Sequence, residues 1–242
     1  MADAIFENPQ LVAVYDAFDA PRDDLDLYTS LAEEVAASAV IDLGCGTGVL
    51  ARRLARAGRH VLGIDPARAS IDLAKAHAAE EGLSIDHRVG TAADIPTAVA
   101  DLVTMTGNVA QVFLSLDDLR AVFADCARGL RSGGHLVVET RDPAVRAWES
   151  WGRRQPRTLD VDGIGEVTET LALGQVDLPF VSFSHLYRFA ATGDVIGSRS
   201  RLRFHEQGEV ASALEAAGFA VRDIRDAPDR PGAEWVFLAQ KR

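Results

Sequence analysis

The stretch AVIDLGCGTGVLARRL, residues 39–54, decides how the chain is read. An apolar run ends in an acidic residue, three glycines follow within five positions (Gly44, Gly46, Gly48), and an amphipathic segment begins. Glycine lets a backbone turn sharply and approach a ligand without a Cβ in the way. A helix that starts at such a turn aims its unpaired N–H groups and its positive dipole end at whatever sits there. The spacing is G-x-G-x-G with Val49 at the next position, so the dinucleotide fingerprint GxGxxG/A is not met.

Outward from this turn, strand and helix signals alternate. SAVIDL (38–43) reads as a strand, 48–58 as a helix closed by Gly58, HVLGID (60–65) as a second strand and 67–82 as a helix stopped by Gly82. SIDHRV (84–89), DLVTMT (101–106) and GHLVVET (134–140) read as three more strands, the last two separated by a helix over 116–130. Upstream, Leu25, Tyr28, Leu31 and Val35 share one face of a helix over 24–36. Such alternation predicts a parallel sheet covered by helices on both faces.

After about residue 157 the period changes to two. GEVTETLAL (165–173), PFVSFSHLYRFA (179–190) and VIGSRSRLRF (195–204) alternate as antiparallel strands, with TGD at 192–194 as a tight turn. A helix over 206–217, ended by Gly218, and two closing strands, FAVRDI and EWVFLAQ, complete the chain. The expected organisation is one domain over 1–242, with a helical cap over 1–37 and an antiparallel β lid inserted at about 142–205.

At 242 residues, 48% hydrophobic and 25% charged, the chain has the composition of a globular protein with a substantial core. A net charge of -11 and a pI near 5.0 argue against a nucleic-acid partner, which needs a concentrated basic surface. Cys45 and Cys126 make neither a disulfide framework nor a metal-ligand pattern, so no metal is expected. The opening residues lack a signal-peptide pattern and no apolar run is long enough for a membrane span, so the expectation is a cytoplasmic protein.

Asp65 ends the second strand 21 positions after Gly44, close to the offset at which an acidic residue accepts ribose hydroxyls. Asp94, in TAADIP, follows the third strand. Ligands bind outside the carboxyl ends of strands in sheets of this kind, so Asp42, Gly44 to Gly48, Asp65 and Asp94 converge on one edge. VIDLGCGTGVL, with GID at 63–65, AADI at 92–95 and RSGGHLVVE at 131–139, resembles the class I S-adenosylmethionine-dependent methyltransferases.

That resemblance, over residues 25 to 140, implies a Rossmann-like seven-stranded sheet with its last strand antiparallel and S-adenosylmethionine as cofactor, released as S-adenosylhomocysteine. It implies that Gly44, Cys45, Gly46 and Gly48 wrap the methionine part, with Asp42 supporting the loop. Asp65, followed by Pro66, would hold the ribose, while Ala93, Asp94 and Ile95 meet the adenine. Thr106, Gly107 and Asn108 would line the methyl side, and Tyr15, in VYDAF, would close over the cofactor. The segment TGNVAQVF after the fourth strand lacks the Asn/Asp-Pro-Pro-aromatic motif of nucleic-acid amino-methylating members. The expected acceptor is therefore oxygen or nitrogen of a small organic molecule, methylated by direct displacement in a monomer or homodimer.

Candidate catalytic groups are His185, Tyr187 and Glu139. His185 and Tyr187 share a strand face with Val181, Phe183 and Phe189, so both also read as packing residues. Glu139 ends the fifth strand on the cofactor edge. His205 reads as a capping or surface group, and Trp148 and Trp151 as pocket wall or packing. Arg199, Arg201 and Arg203 read as a solvated face paired with Glu166 or Glu169. Two other readings remain: a non-catalytic S-adenosylmethionine-binding regulatory protein, and an NAD(P)-dependent oxidoreductase, which lacks its fingerprint here.

Overall fold

A large mixed sheet and a smaller antiparallel one make up the computed structural model, which describes residues 2–242. Two short helices open the chain, α1 (Ala4–Glu7) and α2 (Pro9–Asp19). Asn8 caps α2 by accepting from the N–H groups of Gln10 and Leu11, with Pro9 at the first helical position where its missing N–H costs nothing. Then come α3 (Leu25–Glu34), β1 (Ala39–Leu43), α4 (Val49–Arg56), β2 (His60–Asp65), α5 (Arg68–Glu80), β3 (Asp86–Val89) and β4 (Ala100–Met105). They are followed by α6 (Leu116–Gly129), capped by Ser115, and β5 (Leu130–Arg141).

The small sheet comes next: a single-turn helix α7 (Trp148–Trp151), then β6 (Arg157–Val161), β7 (Gly165–Asp177), β8 (Phe180–Phe189) and β9 (Val195–Arg203). α8 (Gln207–Ala216), β10 (Phe219–Asp226) and β11 (Glu234–Lys241) return to the large sheet. Its strand order is β10-β11-β5-β4-β1-β2-β3, and β11 runs antiparallel to both neighbours. The reversal of order falls between β1 and β4, so the glycine turn after β1 opens at the switch point where such sheets take ligands.

The seven strands and the antiparallel last strand agree with the resemblance, and helix ends fall within two residues of the sequence reading. Three features depart from it. β6 has no counterpart in that reading, because its burial alternates only weakly between half-exposed and exposed positions. It pairs only with β7, as an edge strand. The first 37 residues are not one cap. Leu25, Tyr28, Leu31 and Ala32 of α3 are buried with Val40, Leu50, Leu54 and Val137 against the large sheet. Ile5, Leu11, Val14 and Phe18 of α1 and α2 are buried instead with Val167, Tyr187 and Phe189 of the small sheet. Finally, β8 separates β7 from β9, so the arginines of β9 cannot reach Glu166 or Glu169 across the sheet. Arg201 lies over the Phe180 ring at 4.4 Å and Arg203 pairs with Glu209 at 2.9 Å.

A further aromatic cluster packs α7 against the small sheet. Trp148 is buried with Val181 and Phe204, and its ring meets Phe204 edge-on at 4.6 Å. His205 is no surface cap: it is fully buried, with Nε2 at 3.1 Å from the Ala110 carbonyl. A periodicity argument cannot see this, because the residue follows the last strand and its burial comes from the loop after β4. Among the described residues, no helix is long and apolar enough to cross a membrane.

Candidate active site

Gly44, Gly46 and Gly48 all take left-handed conformations, with φ of +78°, +52° and +79°. Each needs its glycine for a different reason. A Cβ on Gly44 would stand 2.5 Å from a Val109 methyl, and one on Gly48 would meet Ala74 and His87 at 3.1 Å. A Cβ on Gly46 would meet nothing within 4 Å, so the turn is bare there on a side facing open space. Gly107, on the loop after β4, is bare in the same way at φ +63°. Cys45 packs its thiol under the turn, where a Cβ on Gly63 would stand 3.0 Å from the sulfur, and burial pushes the thiol up. It is filler, not nucleophile.

Asp65 is tied to this turn directly. Its Oδ2 accepts from the Gly46 N–H at 3.0 Å and its Oδ1 from the Ala67 N–H at 2.8 Å. These bonds occupy one lone pair on each oxygen and leave others for a ligand. Burial raises the carboxyl above its ordinary range, and the two backbone donors pull it back. Pro66 beside it is exposed.

Asp42 is buried at the end of β1, accepting from the Thr104 hydroxyl at 3.0 Å. Burial, reinforced by Asp65, pushes it up to about 7. An unfolded aspartate ionises near ~4, so the folded chain resists this ionisation. The resulting penalty is absent below that value, grows as pH rises between the two, and is complete above the folded one. Asp42→Asn, which keeps an acceptor for Thr104, is expected to raise Tm at pH 8 and to leave it unchanged near pH 4. Equal melting temperatures at pH 8 would show that Asp42 ionises unhindered.

The adenine-side residues are arranged less directly than expected. Asp94 accepts from the backbone and hydroxyl of Thr91 at 2.8 and 3.3 Å, closing a capping box at the surface. Ile95 turns its side chain into the large-sheet core, so only its backbone faces the edge. Ala93 is exposed, and Arg128 donates to its carbonyl at 3.1 Å and also holds the Ile95 carbonyl. Nothing in the local sequence pointed to Arg128, which arrives from α6.

α2 links the glycine turn to the small sheet. Asp16 accepts from the Thr47 hydroxyl at 2.6 Å, and Phe18 meets Tyr187 edge-on at 5.5 Å. Tyr15, on the same helix, packs against Phe6 at 5.4 Å, and burial with Asp19 nearby raises its hydroxyl.

Glu139 lies beneath the loop after β4 and not at an open surface. It accepts from the Gly107 N–H at 3.3 Å, from the Asn108 amide at 2.8 Å and from the Tyr28 hydroxyl. Asn108 also donates to Glu234 at 3.2 Å, and Arg230 and Arg141 pair with Glu234 at 2.6 and 3.4 Å. Burial and the neighbouring Glu234 favour a protonated Glu139, while the arginines keep Glu234 ionised. Gly107 and Asn108 both sit at positive φ, +63° and +62°. Glycine and asparagine are the residues that take this conformation most readily, and the acid pair fixes the loop in it. Glu234, Tyr28 and Arg141 come from three distant elements, and no spacing in the sequence joins them.

On the small sheet, Glu169 is almost fully buried and collects four partners. Arg154 lies at 2.6 Å, His185 Nδ1 at 2.8 Å, Arg157 at 3.3 Å and the Tyr187 hydroxyl at 3.4 Å. The hydrogen bond from His185 and the two guanidiniums hold its carboxyl below the ordinary range despite burial. Tyr187 is 2% exposed under α2 and packs there. Trp151 meets Phe183 at 5.0 Å and carries the Arg141 guanidinium over its ring at 5.5 Å. A glutamate in GEVTETLAL on the inward face with Val167 and Leu171 was the available signal for this cluster.

A left-handed glycine turn at the switch point of a seven-stranded sheet, tied to an acid at the next strand end, defines the fold of class I S-adenosylmethionine-dependent methyltransferases. Residues 40–134 match the family model described as a methyltransferase domain. The ubiquinone biosynthesis O-methyltransferase of Bartonella quintana is 33% identical over 119 residues, 47% of this chain and 44% of that protein. The Hahella chejuensis protein of the same name is 38% identical over 104 residues, 42% of each chain. The chain thus spans about half the length of the curated relatives it matches. A methyltransferase from Clostridium acetobutylicum superposes with a TM-score of 0.78 at 16% identity over 96% of each chain. A sugar N-methyltransferase from Streptoalloteichus gives 0.78 at 18% identity over 100% of this chain and 96% of that one. These two likenesses concern the fold.

Proposed function

We propose that the protein transfers a methyl group from S-adenosylmethionine to oxygen or nitrogen of a small organic molecule, in the cytoplasm. The observation that carries this reading is the bare backbone at Gly46 beside the Asp65 carboxylate, on the same edge as the bare Gly107. A cradle that a Cβ would fill, flanked by a carboxylate with free lone pairs, fits an adenosyl sulfonium ligand in shape and donor set. In this reading the Gly44–Gly48 turn borders the methionine part and Asp65 takes the ribose hydroxyls. Ala93 to Ile95 flank the adenine through backbone, and Thr106 to Asn108 face the methyl.

When bound, the cofactor supplies a methyl group activated by a positive sulfur. The protein's share is alignment: α2 closes the turn through Asp16 and Thr47, and Glu139 fixes the loop that carries Gly107 and Asn108. The inner face of the small sheet holds the acceptor and excludes water. Holding two reactants in line supplies much of the rate for a displacement of this kind. Glu139 acts in this scheme as a positioning residue.

Calorimetry with S-adenosylhomocysteine, and detection of that product with a panel of hydroxyl and amine acceptors, tests the proposal. Asp65→Ala is expected to weaken binding by roughly 1.5–3 kcal/mol, the scale of hydrogen bonds to a charged group. Unchanged affinity in that variant would remove Asp65 from the ribose.

A further inference from the structure

Between the two apolar clusters of the small sheet lies a polar stretch that packing does not explain. Val167, Tyr187 and Phe189 close one end under α1 and α2, and Trp148, Val181 and Phe204 close the other. His185 and Glu169 stand between them, on neighbouring strands and one diagonal step apart in register. Glu169 already has two guanidiniums beside it, so its buried charge is compensated without the imidazole.

An ionised carboxylate only accepts hydrogen bonds. Glu169 therefore requires the proton of a neutral His185 ring to sit on Nδ1, leaving the Nε2 lone pair free. Nε2 has no protein partner among the described residues, and the side chain keeps 15% of its surface exposed. Phe183, at 5.6 Å, and Tyr187, stacked at 6.0 Å, flank the ring and limit its rotation.

We infer that Glu169 is a positioning residue that fixes His185 as the proton acceptor for a substrate hydroxyl, with Phe183 and Tyr187 flanking the imidazole. The inference rests on the methyltransferase reading. Its chemical basis is the difference between the two acceptor types. An amine reacts once unprotonated, and its product sheds any proton to water afterwards. A hydroxyl oxygen gains positive charge as it bonds carbon, so its proton has to leave as the bond forms. His185 Nε2 takes that proton while the oxygen bonds the methyl carbon. The carbon–sulfur bond breaks with its electron pair left on sulfur, and the imidazolium, stabilised by Glu169, returns the proton to water. A base fixed by a carboxylate serves a hydroxyl and adds nothing for an amine.

Two measurements test this on the full chain. Long-range proton–nitrogen NMR of the histidines, read against His185→Gln for assignment, is expected to show His185 in the Nδ1–H form. That form should be lost in Glu169→Gln. A wild-type His185 in the Nε2–H form, or no change in Glu169→Gln, overturns the inference. The second probe is 4-nitrocatechol, titrated into protein saturated with S-adenosylhomocysteine at a pH below the probe's own ionisation. Its bound phenolate fraction is expected to rise about tenfold, one pKa unit, in wild type and not in His185→Gln. A phenolate band that is absent in wild type or survives in His185→Gln overturns it. Calorimetry on the same samples separates the two readings. Binding of S-adenosylhomocysteine with the wrong tautomer keeps the methyltransferase and discards the dyad, whereas no binding discards both.

Discussion

Gly46→Val protein remains folded and loses its affinity for S-adenosylhomocysteine by more than about 100-fold, roughly 2.7 kcal/mol. The fold survives because a Cβ at this position meets nothing within 4 Å. The cost to stability is confined to holding a β-branched residue at φ +52°, about 1–2 kcal/mol. The affinity is lost because the side chain fills the space that the methionine part of the ligand needs. Gly44→Val is the contrasting control. There the new side chain strikes Val109 at 2.5 Å and the fold itself suffers. Calorimetry paired with a thermal melt on both variants checks the claim. Binding retained by a folded Gly46→Val protein would place the ligand elsewhere.

Trp148→Ala destabilises the protein by about 3–5 kcal/mol, the range for deleting a large buried aromatic and leaving a cavity. Trp148 is 2% exposed and is buried with Val181 of β8 and Phe204, which follows β9. Its cluster is separate from the large-sheet core, so the loss falls on the packing of the insertion. Urea unfolding is expected to show a lowered midpoint, with a smaller loss for Trp148→Phe, which keeps an edge-on partner for Phe204. A stability within about 0.5 kcal/mol of wild type would show that α7 and the small sheet hold together without this contact.

Legibility followed the range of each interaction. The glycine turn, Asp65 and the alternation of strands and helices were readable because burial periodicity and φ > 0 requirements are local. The same local logic placed Arg199, Arg201 and Arg203 on an outer face, yet misassigned their partners, since strand order within the small sheet is not a local property. His205 was misjudged because a loop more than ninety residues earlier buries it. Glu139 was read near the carboxyl end of the fifth strand, where it lies, but its buried partners Tyr28, Asn108 and Glu234 could not be read there.

The sequence by itself determined the helix-covered parallel sheet, the glycine turn at Gly44 to Gly48 on its carboxyl edge, and the acid at the next strand end. Each is enforced by the period of burial and by backbone conformations that only glycine adopts cheaply. Tertiary structure alone decided that α1 and α2 serve the small sheet while α3 serves the large one. It alone decided that Glu169 orients His185, and that two buried carboxylates brace the loop at Gly107. Those arrangements arise from charges taken out of water, which must find compensation wherever the folded chain brings a partner, however far away in sequence that partner lies.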